Sequence, residues 1–345
     1  MSMIICAPHA FIKRARRPPP ASHASPVPQS PFQTVGVIGK RRDPRVTDTL
    51  IQLCGLLRQH RRSILIDSET ARLVPASTGT AVGRDELASR CDLVVVIGGD
   101  GTLLDAGRSL ASAGVPILGV NQGRLGFLVD VRPEDMSNTL DALFRGEYIK
   151  ESRVVLEASV RRADGGLSLP LLAVNDVVVR NQAAIRMVEF ATYLASDAGG
   201  WEFISQHRAD GFIVSTATGS TAYALSGGGP VVHPALAALA LVPICPHTLS
   251  DRPIVVPASR TVRIVLGVNE SGATMTCDGQ IGTALNPSDA VEIRCSQHDL
   301  ILVHPRSYSY FELLRDKLDW GRHPTGNGPG RAPAGAASGS VPGKN

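Results

Sequence analysis

A glycine-rich sequence that directly follows an apolar run constrains the fold of this chain more than any other feature. The apolar run is Leu93–Ile97, the sequence GGDGT spans Gly98–Thr102, and residues 103–112 have the composition of a helix. Glycines allow a sharp turn and a close approach of the backbone to a ligand, and N–H groups at a helix start attract anions. The order therefore predicts a strand, a phosphate-binding turn and a helix. The plainer alternative is an Asp-Gly turn without a ligand.

The acidic residue inside this turn has to be reconciled with phosphate binding. The carboxylate of Asp100 would repel a phosphate unless it accepts the proton of an attacking hydroxyl group or helps to hold a metal ion between phosphates. The turn alone does not decide between these roles and an ordinary structural turn.

The composition fits a globular protein with two packed domains. The chain has 345 residues, of which 43% are hydrophobic and 19% charged, which is ordinary for such proteins. The formal net charge is +4, but seven of the 35 basic residues lie in the acid-free segments 1–33 and 321–345. The remainder carries slightly more acidic than basic residues, so we expect no nucleic-acid partner.

The cysteines and the terminal segments indicate the compartment. The six cysteines form no C-x-x-C pair and have no histidines at metal-ligand spacing, which predicts reduced thiols, a cytoplasmic location and no protein-built metal site. No apolar run approaches the roughly 18 residues of a membrane span, so no membrane partner is expected.

Residues 1–33 have the Arg and Ser content of a transit peptide, but their prolines oppose the amphipathic helix that such a peptide forms. We expect a disordered extension, or a start codon placed too early, and a disordered tail over 322–345.

The pattern of apolar residues changes once along the chain. Over 34–130, short apolar runs alternate with helix-length segments, which predicts an α/β domain with a Rossmann-like parallel sheet and the GGDGT loop. Over 131–304, closely spaced strands and turns predict an all-β sandwich domain. The segment 305–321 contains a predicted helix, 310–318, which we expect to pack back onto the α/β domain.

Four further motifs lie in the second domain. Asn175-Asp176 interrupts the apolar sequence LLAVNDVVV, which predicts one strand over 171–180, and is either a ligand site or a hydrogen-bonded pair at a strand bulge. RADG at 208–211 and CDGQ at 277–280 are also compatible with simple turns. STATGSTAYALSGGGP at 215–230 combines many hydroxyl groups with a tyrosine, which favours a ligand-lining loop that starts a helix near Ser220.

These five motifs, in this order and spacing, resemble the NAD kinase family over residues 35–320. GGDGT is shared with lipid kinases and phosphofructokinases, whereas NDVVV followed by DGFIVSTATGSTAYALSGGGP is far more specific. NQGRLGFL, PHTLSDRP and SYF are similar to the proteobacterial members. The resemblance implies an active site between the two domains. There ATP with Mg²⁺ would phosphorylate the 2′-hydroxyl of the adenosine ribose of NAD and give NADP and ADP. The alternatives are a lipid or sugar kinase with the same glycine turn, and a non-catalytic NADP-binding protein.

The resemblance also implies roles for particular residues. Asp100 would accept the hydroxyl proton. The phosphate-binding residues would be Gly98, Gly99, Gly101 and Thr102, with the glycine backbone against the donor phosphates, and Thr102 would also cap the helix. Mg²⁺ would be held through the ATP phosphates. The NAD site would consist of Asp100, Gly101, Asn175, Asp176, Arg186, Arg208, Asp210, Thr221, Ala222, Tyr223, Ala224, Leu225, Ser226 and Gln280.

Two further expectations follow from the same resemblance. The contacts of Asp210 and its neighbours would lie partly across a subunit boundary, which implies a homo-oligomer, either a dimer or a tetramer. Some relatives carry histidine at the position of Arg186. A bulky basic residue at the position of Arg208 accompanies a preference for NAD over NADH in this family, so we expect that preference here.

Overall fold

The strands in the described part of the chain form three sheets. The computed structural model describes residues 32–41, 43–123, 126–181, 187–248, 250–268 and 272–319. The strands in these residues are β1 Thr34–Gly39, β2 Ser63–Asp67, β3 Thr80–Val82, β4 Leu93–Gly98, β5 Ile117–Asn121, β6 Tyr148–Arg153, β7 Leu156–Arg161, β8 Leu171–Ala173, β9 Asp176–Asn181, β10 Val188–Ala195, β11 Trp201–Ala209, β12 Gly211–Thr216, β13 Ala238–Ile244, β14 Ile254–Pro257, β15 Val262–Leu266, β16 Ala273–Cys277, β17 Ile281–Ala284, β18 Ala290–Cys295 and β19 Leu300–Pro305.

The longer helices belong to the first half of the chain and to its C-terminal part. The α-helices are α1 Thr47–Gln59, α2 Ser68–Ala71, α3 Arg84–Arg90, α4 Asp100–Leu110, α5 Met136–Phe144, α6 Tyr223–Ser226 and α7 Tyr310–Leu318. The apolar side chains of α1 and α4 repeat at helical spacing and are buried, so each helix covers the sheet with one face.

The first sheet has seven strands in the order β3-β2-β1-β4-β5-β19-β6. All neighbouring pairs are parallel except β19 with β6. Every residue of β4 is buried, as its continuous apolar sequence predicts for a central parallel strand. The sheet takes two strands from outside the range 34–130, because β6 and β19 come from either end of the sandwich segment. Since β6 is an edge strand with alternating polar residues, its sequence lacks the signature of the central strands.

The second domain is the predicted sandwich. Its two antiparallel sheets have the orders β11-β10-β15-β18-β7-β8 and β14-β13-β12-β9-β16-β17. Side chains of both sheets form one apolar core, in which Phe190, Phe212 and Ile264 are almost completely buried. The alternating burial along β7 and β10 is that of strands with one face in such a core. The predicted fold class is therefore confirmed.

The Asn175-Asp176 motif lies where the chain crosses between the two sandwich sheets. The apolar sequence 171–180, predicted as one strand, forms two: β8 belongs to one sheet and β9 to the other. The backbone of the crossing leaves the hydrogen-bond ladder here, so its N–H and C=O groups need other partners. This requirement determines the local structure of the site.

The C-terminal helix is a separate unit of the described chain. Helix α7 has the predicted bounds, and it begins where the hydroxyl group of Ser309 accepts the N–H of Glu312. Its packing onto the α/β domain stays a prediction. The expectations for the two terminal segments concern residues that lie mostly outside the described ones.

Candidate active site

The GGDGT turn has the predicted form at the carboxyl end of β4. Gly98 ends the strand, Gly99 is the N-cap of α4 in an extended conformation, and Asp100 is the first helical residue. A Cβ atom on Gly98 would lie 2.6 Å from Oγ1 of Thr102, so a larger residue would collide with the first helical turn. The prediction that Thr102 caps the helix is wrong, because the extended backbone of Gly99 takes that position.

The carboxylate of Asp100 is held by the loop that follows β5. Its Oδ2 accepts the backbone N–H of Phe127 at 2.8 Å, and its Oδ1 accepts that of Leu128 at 3.1 Å. A Cβ atom on Gly126 would lie 1.8 Å from Oδ1, so this loop has to carry glycine next to the carboxylate. The neighbouring Arg124 lies outside the described residues. Asp100 is therefore fixed in direction by two N–H groups and by the start of α4.

A cleft of about 500 Å³ lies at the carboxyl edge of the parallel sheet, the usual ligand position in open α/β sheets. The ends of β1, β4 and β5 and the start of α3 form its walls. The lining residues are Gly39, Lys40, Arg41, Arg84, Gly99, Gly101, Thr102, Asp105, Asn121, Gln122 and Gln280.

Three cations give the cleft the character of an anion site. Lys40 and Arg41 are exposed at its mouth, whereas the guanidinium of Arg84 is held by Asp67 at 2.6 Å and by Asp105 at 3.2 Å. The two carboxylates fix the orientation of this guanidinium and offset its charge. None of these three residues was among the predicted site residues, although the basic residues directly after β1 were a usable signal.

Asn121 adds an unusual polar atom to the same wall. Its Oδ1 is buried and has no hydrogen-bond partner among the described residues, while its Nδ2 donates to the carbonyl of Gly123. A buried acceptor without a partner is costly unless a ligand or water completes it. The cleft therefore offers both positive groups and a free acceptor.

The Asn175-Asp176 crossing is held by a residue that sequence analysis did not single out. The carboxylate of Asp278 accepts the backbone N–H groups of Val174 at 3.1 Å and of Asn175 at 2.7 Å. On its other side, Asp278 lies 2.6 Å from the guanidinium of Arg108. The motif CDGQ was a hint, but only the fold brings its aspartate to the sheet crossing.

Asp176 is a buried carboxylate with altered acidity. It is 4% exposed, and burial together with the charge of Asp278 raises the pKa of Asp176 to about 7. A carboxylate that titrates near neutral pH in a buried position is typical of a functional site.

The hydroxyl-rich segment forms a tight turn against the same crossing. A Cβ atom on Gly219 would lie 2.1 Å from the carbonyl oxygen of Asn175, so glycine is required for this contact. Ser220 is buried and accepts the N–H of Val232 at 2.9 Å. The predicted helix start near Ser220 is present as a 3-10 turn followed by α6. Tyr223 is 40% exposed at the start of α6, so its ring is available to a ligand.

The remaining predicted NAD residues lie in three groups. Thr221, Ala222, Ala224, Leu225 and Ser226 belong to the same 3-10 turn and α6. Gln280 lines the cleft and donates to the carbonyl of Gly101 at 3.1 Å.

Arg208 and Asp210 form the third group, away from the cleft lining. The side chain of Arg208 is 60% exposed and, among the described residues, forms an ion pair with Glu189 alone, at 3.7 Å, while Asp210 is exposed. Arg186 lies outside the described residues. The described part of the chain thus brings together the glycine turn, Gln280 and the sheet crossing, but leaves Arg208 and Asp210 on the surface.

Metal and membrane features are absent from the described ranges. No group of three or more His, Cys, Asp or Glu side chains in these ranges could hold a metal ion. No helix in them combines the length and the apolar character required to cross a membrane.

A glycine turn and a cleft at the carboxyl edge of a parallel sheet, together with an antiparallel β-sandwich, define a two-domain architecture. The family model for the ATP-NAD kinase N-terminal domain matches residues 35–148, and that for the C-terminal domain matches residues 174–305. The chain belongs to the NAD kinase family. The predicted enzyme class, an NAD⁺ kinase, is confirmed.

Individual relatives show the same similarity. The chain is 44% identical to the NAD kinase of Teredinibacter turnerae over 86% of this chain and 99% of that protein. It is 43% identical to that of Nitrosococcus oceani over 85% and 98% of the two chains.

Solved structures agree in fold. The structure of an NAD kinase from Archaeoglobus fulgidus in complex with ATP is 27% identical, with a TM-score of 0.64 over 83% of this chain and 98% of that chain. Yeast NADH kinase complexed with NADH gives a TM-score of 0.77 over 86% and 90% of the two chains, at 24% identity.

Proposed function

We propose that this protein transfers the γ-phosphoryl group of ATP to the 2′-hydroxyl of the adenosine ribose of NAD, which gives NADP and ADP. A bond forms between the 2′-oxygen and the γ-phosphorus, the bond from that phosphorus to the β–γ bridging oxygen breaks, and the hydroxyl proton passes to Asp100. The observation that carries the proposal is the position of Asp100. In the sequence it stands between Gly99 and Gly101, which both line the cleft. The carbonyl oxygen of Gly101 accepts a hydrogen bond from Gln280, which belongs to the same turn as Asp278, the residue that holds the sheet crossing.

The cationic cleft is the donor side of this proposal. The triphosphate would lie against the backbone of Gly99 and Gly101 and near the positive groups of Lys40, Arg41 and Arg84. Phosphoryl transfer depends on in-line placement and on neutralisation of charge, and these groups supply both.

A divalent cation fits the same cleft only in company with the donor phosphates. Among the described residues that line the cleft, Asp105 is the one with a carboxylate, and its oxygens already contact guanidinium groups. Asn121 offers its buried, unpartnered oxygen. Mg²⁺ bound through the ATP phosphates would neutralise charge on the transferred group.

The sheet crossing and the hydroxyl-rich turn are the acceptor side. Asp176 would accept ribose hydroxyls, Asn175 would hold the adenosine part, and Tyr223 would offer an aromatic face to the ligand. Ligand hydroxyl groups would give the buried carboxylate of Asp176 the donors that it lacks in the described structure.

Asp100 would act by orientation first and by proton acceptance second. An aspartate is a weak base in the ground state, so it takes the proton late, as the bond to phosphorus develops. Its two N–H donors keep the carboxylate in one direction, and this preorganisation lowers the reorganisation needed during reaction.

The proposal also covers the contacts of NAD at a subunit boundary, the substrate preference and the location of the protein. Arg186, Arg208 and Asp210 would meet the pyrophosphate and nicotinamide of NAD at a boundary between subunits of a dimer or tetramer, and NAD would be preferred over NADH. A cytoplasmic location accords with the described cysteines, which are all free thiols.

One assay tests the reaction. The full chain is incubated with ATP, Mg²⁺ and NAD, and NADP is measured by coupled reduction with an NADP-specific dehydrogenase. Formation of NADP is expected, together with a higher KM for ATP but not for NAD in Arg41→Met. Arg161→Met, which removes a surface ion pair with Glu292 far from the cleft, is the matched control. An absence of NADP with every divalent metal would overturn the proposal.

A further inference from the structure

Arg108 is a buried cation of α4 that lies outside the cleft lining and contacts both polar side chains of the β16–β17 turn. Its side chain is 9% exposed, and its Nη1 lies 2.6 Å from Oδ2 of Asp278. Its Nη2 donates to Oε1 of Gln280 and lies 3.6 Å from Asp105. One forked guanidinium thus joins two side chains of the same turn, which a lysine ammonium cannot do with the same geometry.

Asp278 connects Arg108 to the backbone at the crossing between the sandwich sheets. Its Oδ1 accepts the backbone N–H groups of Val174 at 3.1 Å, Asn175 at 2.7 Å and Asp176 at 3.3 Å. Its own N–H donates to the carbonyl of Asp176 at 2.9 Å. The carboxylate is fully buried, so it requires a positive partner, and Arg108 supplies it.

Gln280 makes a second contact between the β16–β17 turn and helix α4. Its Nε2 donates to the carbonyl oxygen of Gly101 at 3.1 Å. Helix α4 is therefore attached to the β16–β17 turn at its first turn, beside Asp100, and again near its end, at Arg108. The two attachments fix the rotation and the distance of the helix relative to the sandwich.

We propose that Arg108 is a positioning residue for phosphoryl transfer, which acts through Asp278 and Gln280 to hold Asp100 at one spacing from the Asn175–Asp176 crossing. The inference rests on the proposed roles of Asp100 and Asp176. A displacement of about 1 Å between reacting groups costs on the order of 100-fold in rate, so a bridge between the two domains has a large effect on turnover. Arg108 exerts it without itself lining the donor cleft.

The charges around Asp176 give a second, independent readout. Asp278 faces it from the β16–β17 turn, and its charge adds to burial in raising the pKa of Asp176. Cys277 at the end of β16 stays neutral because burial raises its pKa to about 12, and Ser215 on β12 carries no charge. Arg108 neutralises Asp278, so its loss shifts the pKa of Asp176 upward, whereas loss of the Asp278 charge shifts it downward.

The experiment compares Arg108→Met, Arg108→Lys, Asp278→Asn and the double variant Arg108→Met/Asp278→Asn with the wild type, and uses Arg161→Met as the matched control. Turnover per folded molecule, the KM for ATP and for NAD, and the pH profile of kcat/KM for NAD are measured. Thermal unfolding establishes the folded fraction.

Arg108→Met is expected to lower kcat by about 30-fold or more while the KM for ATP changes less than about threefold. The acid limb of its pH profile of kcat/KM for NAD moves to higher pH, whereas the acid limb of Asp278→Asn moves to lower pH. The kcat of the double variant is about tenfold or more higher than that of Arg108→Met. Arg108→Lys keeps the charge but loses the fork, so its kcat lies between those of the wild type and Arg108→Met.

Three results would overturn the inference. The first is a kcat of folded Arg108→Met or Arg108→Lys equal to that of the wild type. The second is a pH profile of kcat/KM for NAD whose acid limb is the same in the variants and the wild type. The third is a loss of kcat in the double variant that equals the product of the losses in the two single variants. If Arg108→Met does not fold, Arg108→Lys and Asp278→Asn decide by the same measurements. A wild type that forms no NADP would instead refute the proposed reaction itself, so the two failures are distinguishable.

Discussion

The carboxylate oxygen Oδ2 of Asp100 lies 2.8 Å from the backbone nitrogen of Phe127. The GGDGT motif thus does not set the direction of its own aspartate alone, because a loop after the next strand of the sheet also holds the carboxylate. Two distant sequence motifs, GGDGT and NQGRLGFL, form one structural unit through this contact.

Replacement of Asp100 by asparagine removes the proton acceptor and keeps the size of the side chain. Turnover is expected to fall by about 100-fold or more while NAD still binds, in line with acid–base contributions in other enzymes. Initial rates and calorimetric titration with NAD measure the two effects. Asp48→Asn, on the exposed face of α1, is the control, and near-normal turnover of Asp100→Asn would remove the proposed role.

Gly126→Ala is expected to impair catalysis although position 126 carries no functional group. The added Cβ atom would lie 1.8 Å from Oδ1 of Asp100, so the carboxylate or the loop has to move. A loss of about tenfold or more in kcat, with about 1–3 kcal/mol lower stability, is expected from such overpacking. Gly55→Ala, with no atom within 4 Å of the new Cβ, serves as the comparison in the same assays. Equal rates for both variants would contradict this account.

Asp176→Asn is expected to stabilise the protein at alkaline pH and to weaken NAD binding. Burial and then the charge of Asp278 raise the pKa of Asp176 from 3.8 to about 7. The folded state therefore retains a proton that the unfolded state releases, and the stability of the wild type falls as pH rises from about 4 to about 7. The variant does not titrate there, so it gains up to about 4 kcal/mol over the wild type at pH 8, at 1.36 kcal/mol per pKa unit.

Denaturant unfolding at pH 5 and pH 8 measures this gain, and the KM for NAD measures the functional loss. Asp48→Asn is again a suitable control, because its carboxylate is exposed. A stability difference between variant and wild type that is the same at both pH values would show that Asp176 does not titrate as described.

His304 is expected to make the stability decrease with rising pH above neutrality. Burial alone would lower the pKa of His304, but Asp130 at 2.9 Å and Glu151 at 3.3 Å outweigh it, and the pKa is raised. The contribution is complete below the unfolded pKa of about 6.5 and is lost as pH rises through the higher folded value.

Urea unfolding of the wild type and of His304→Gln between pH 6 and pH 9 tests this point. The difference between the two proteins should shrink as pH rises, whereas the exposed His298→Gln should show no such trend. A constant difference would exclude a protonated His304.

The terminal segments are expected to be dispensable for activity and assembly. Phe32 is buried and its ring lies 5.6 Å from that of Tyr148, so a truncated protein should retain it. Deletion of residues 1–30 and 325–345, which lack the apolar content of a packed core, should leave the activity per site and the oligomer mass per chain unchanged. A loss of activity on truncation would show that a terminal segment contributes to function.

Dilution is expected to cost activity, because a site completed by a neighbouring subunit is incomplete in a monomer. Light scattering and rate measurements over the same concentration series test the shared site. A fully active monomer would show that Asp210 and its neighbours are not needed from a second subunit.

The local parts of the fold and site could be predicted from the sequence. The apolar run 93–97 and the glycines after it gave β4 and the turn, because a central parallel strand and a sharp turn leave local signatures. The partners of Asp100 and Asp278 could not be predicted, since Phe127 and Arg108 meet them only through the fold. The division of 171–180 into two strands was missed for a similar reason: its apolar residues look alike on either sheet, and only tertiary packing decides where the chain crosses.

The strand order of the first sheet has a consequence for synthesis of the protein. Strand β19 pairs with β5 in parallel and with β6 on its other side, so the sandwich is inserted between two strands of one sheet. Until residue 305 has left the ribosome, the nascent α/β domain presents β5 as an open edge, a surface prone to wrong pairing. Helix α4 and the loop after β5 have already been synthesised at that stage, so the GGDGT turn can form well before β19 completes the sheet of the domain that carries it.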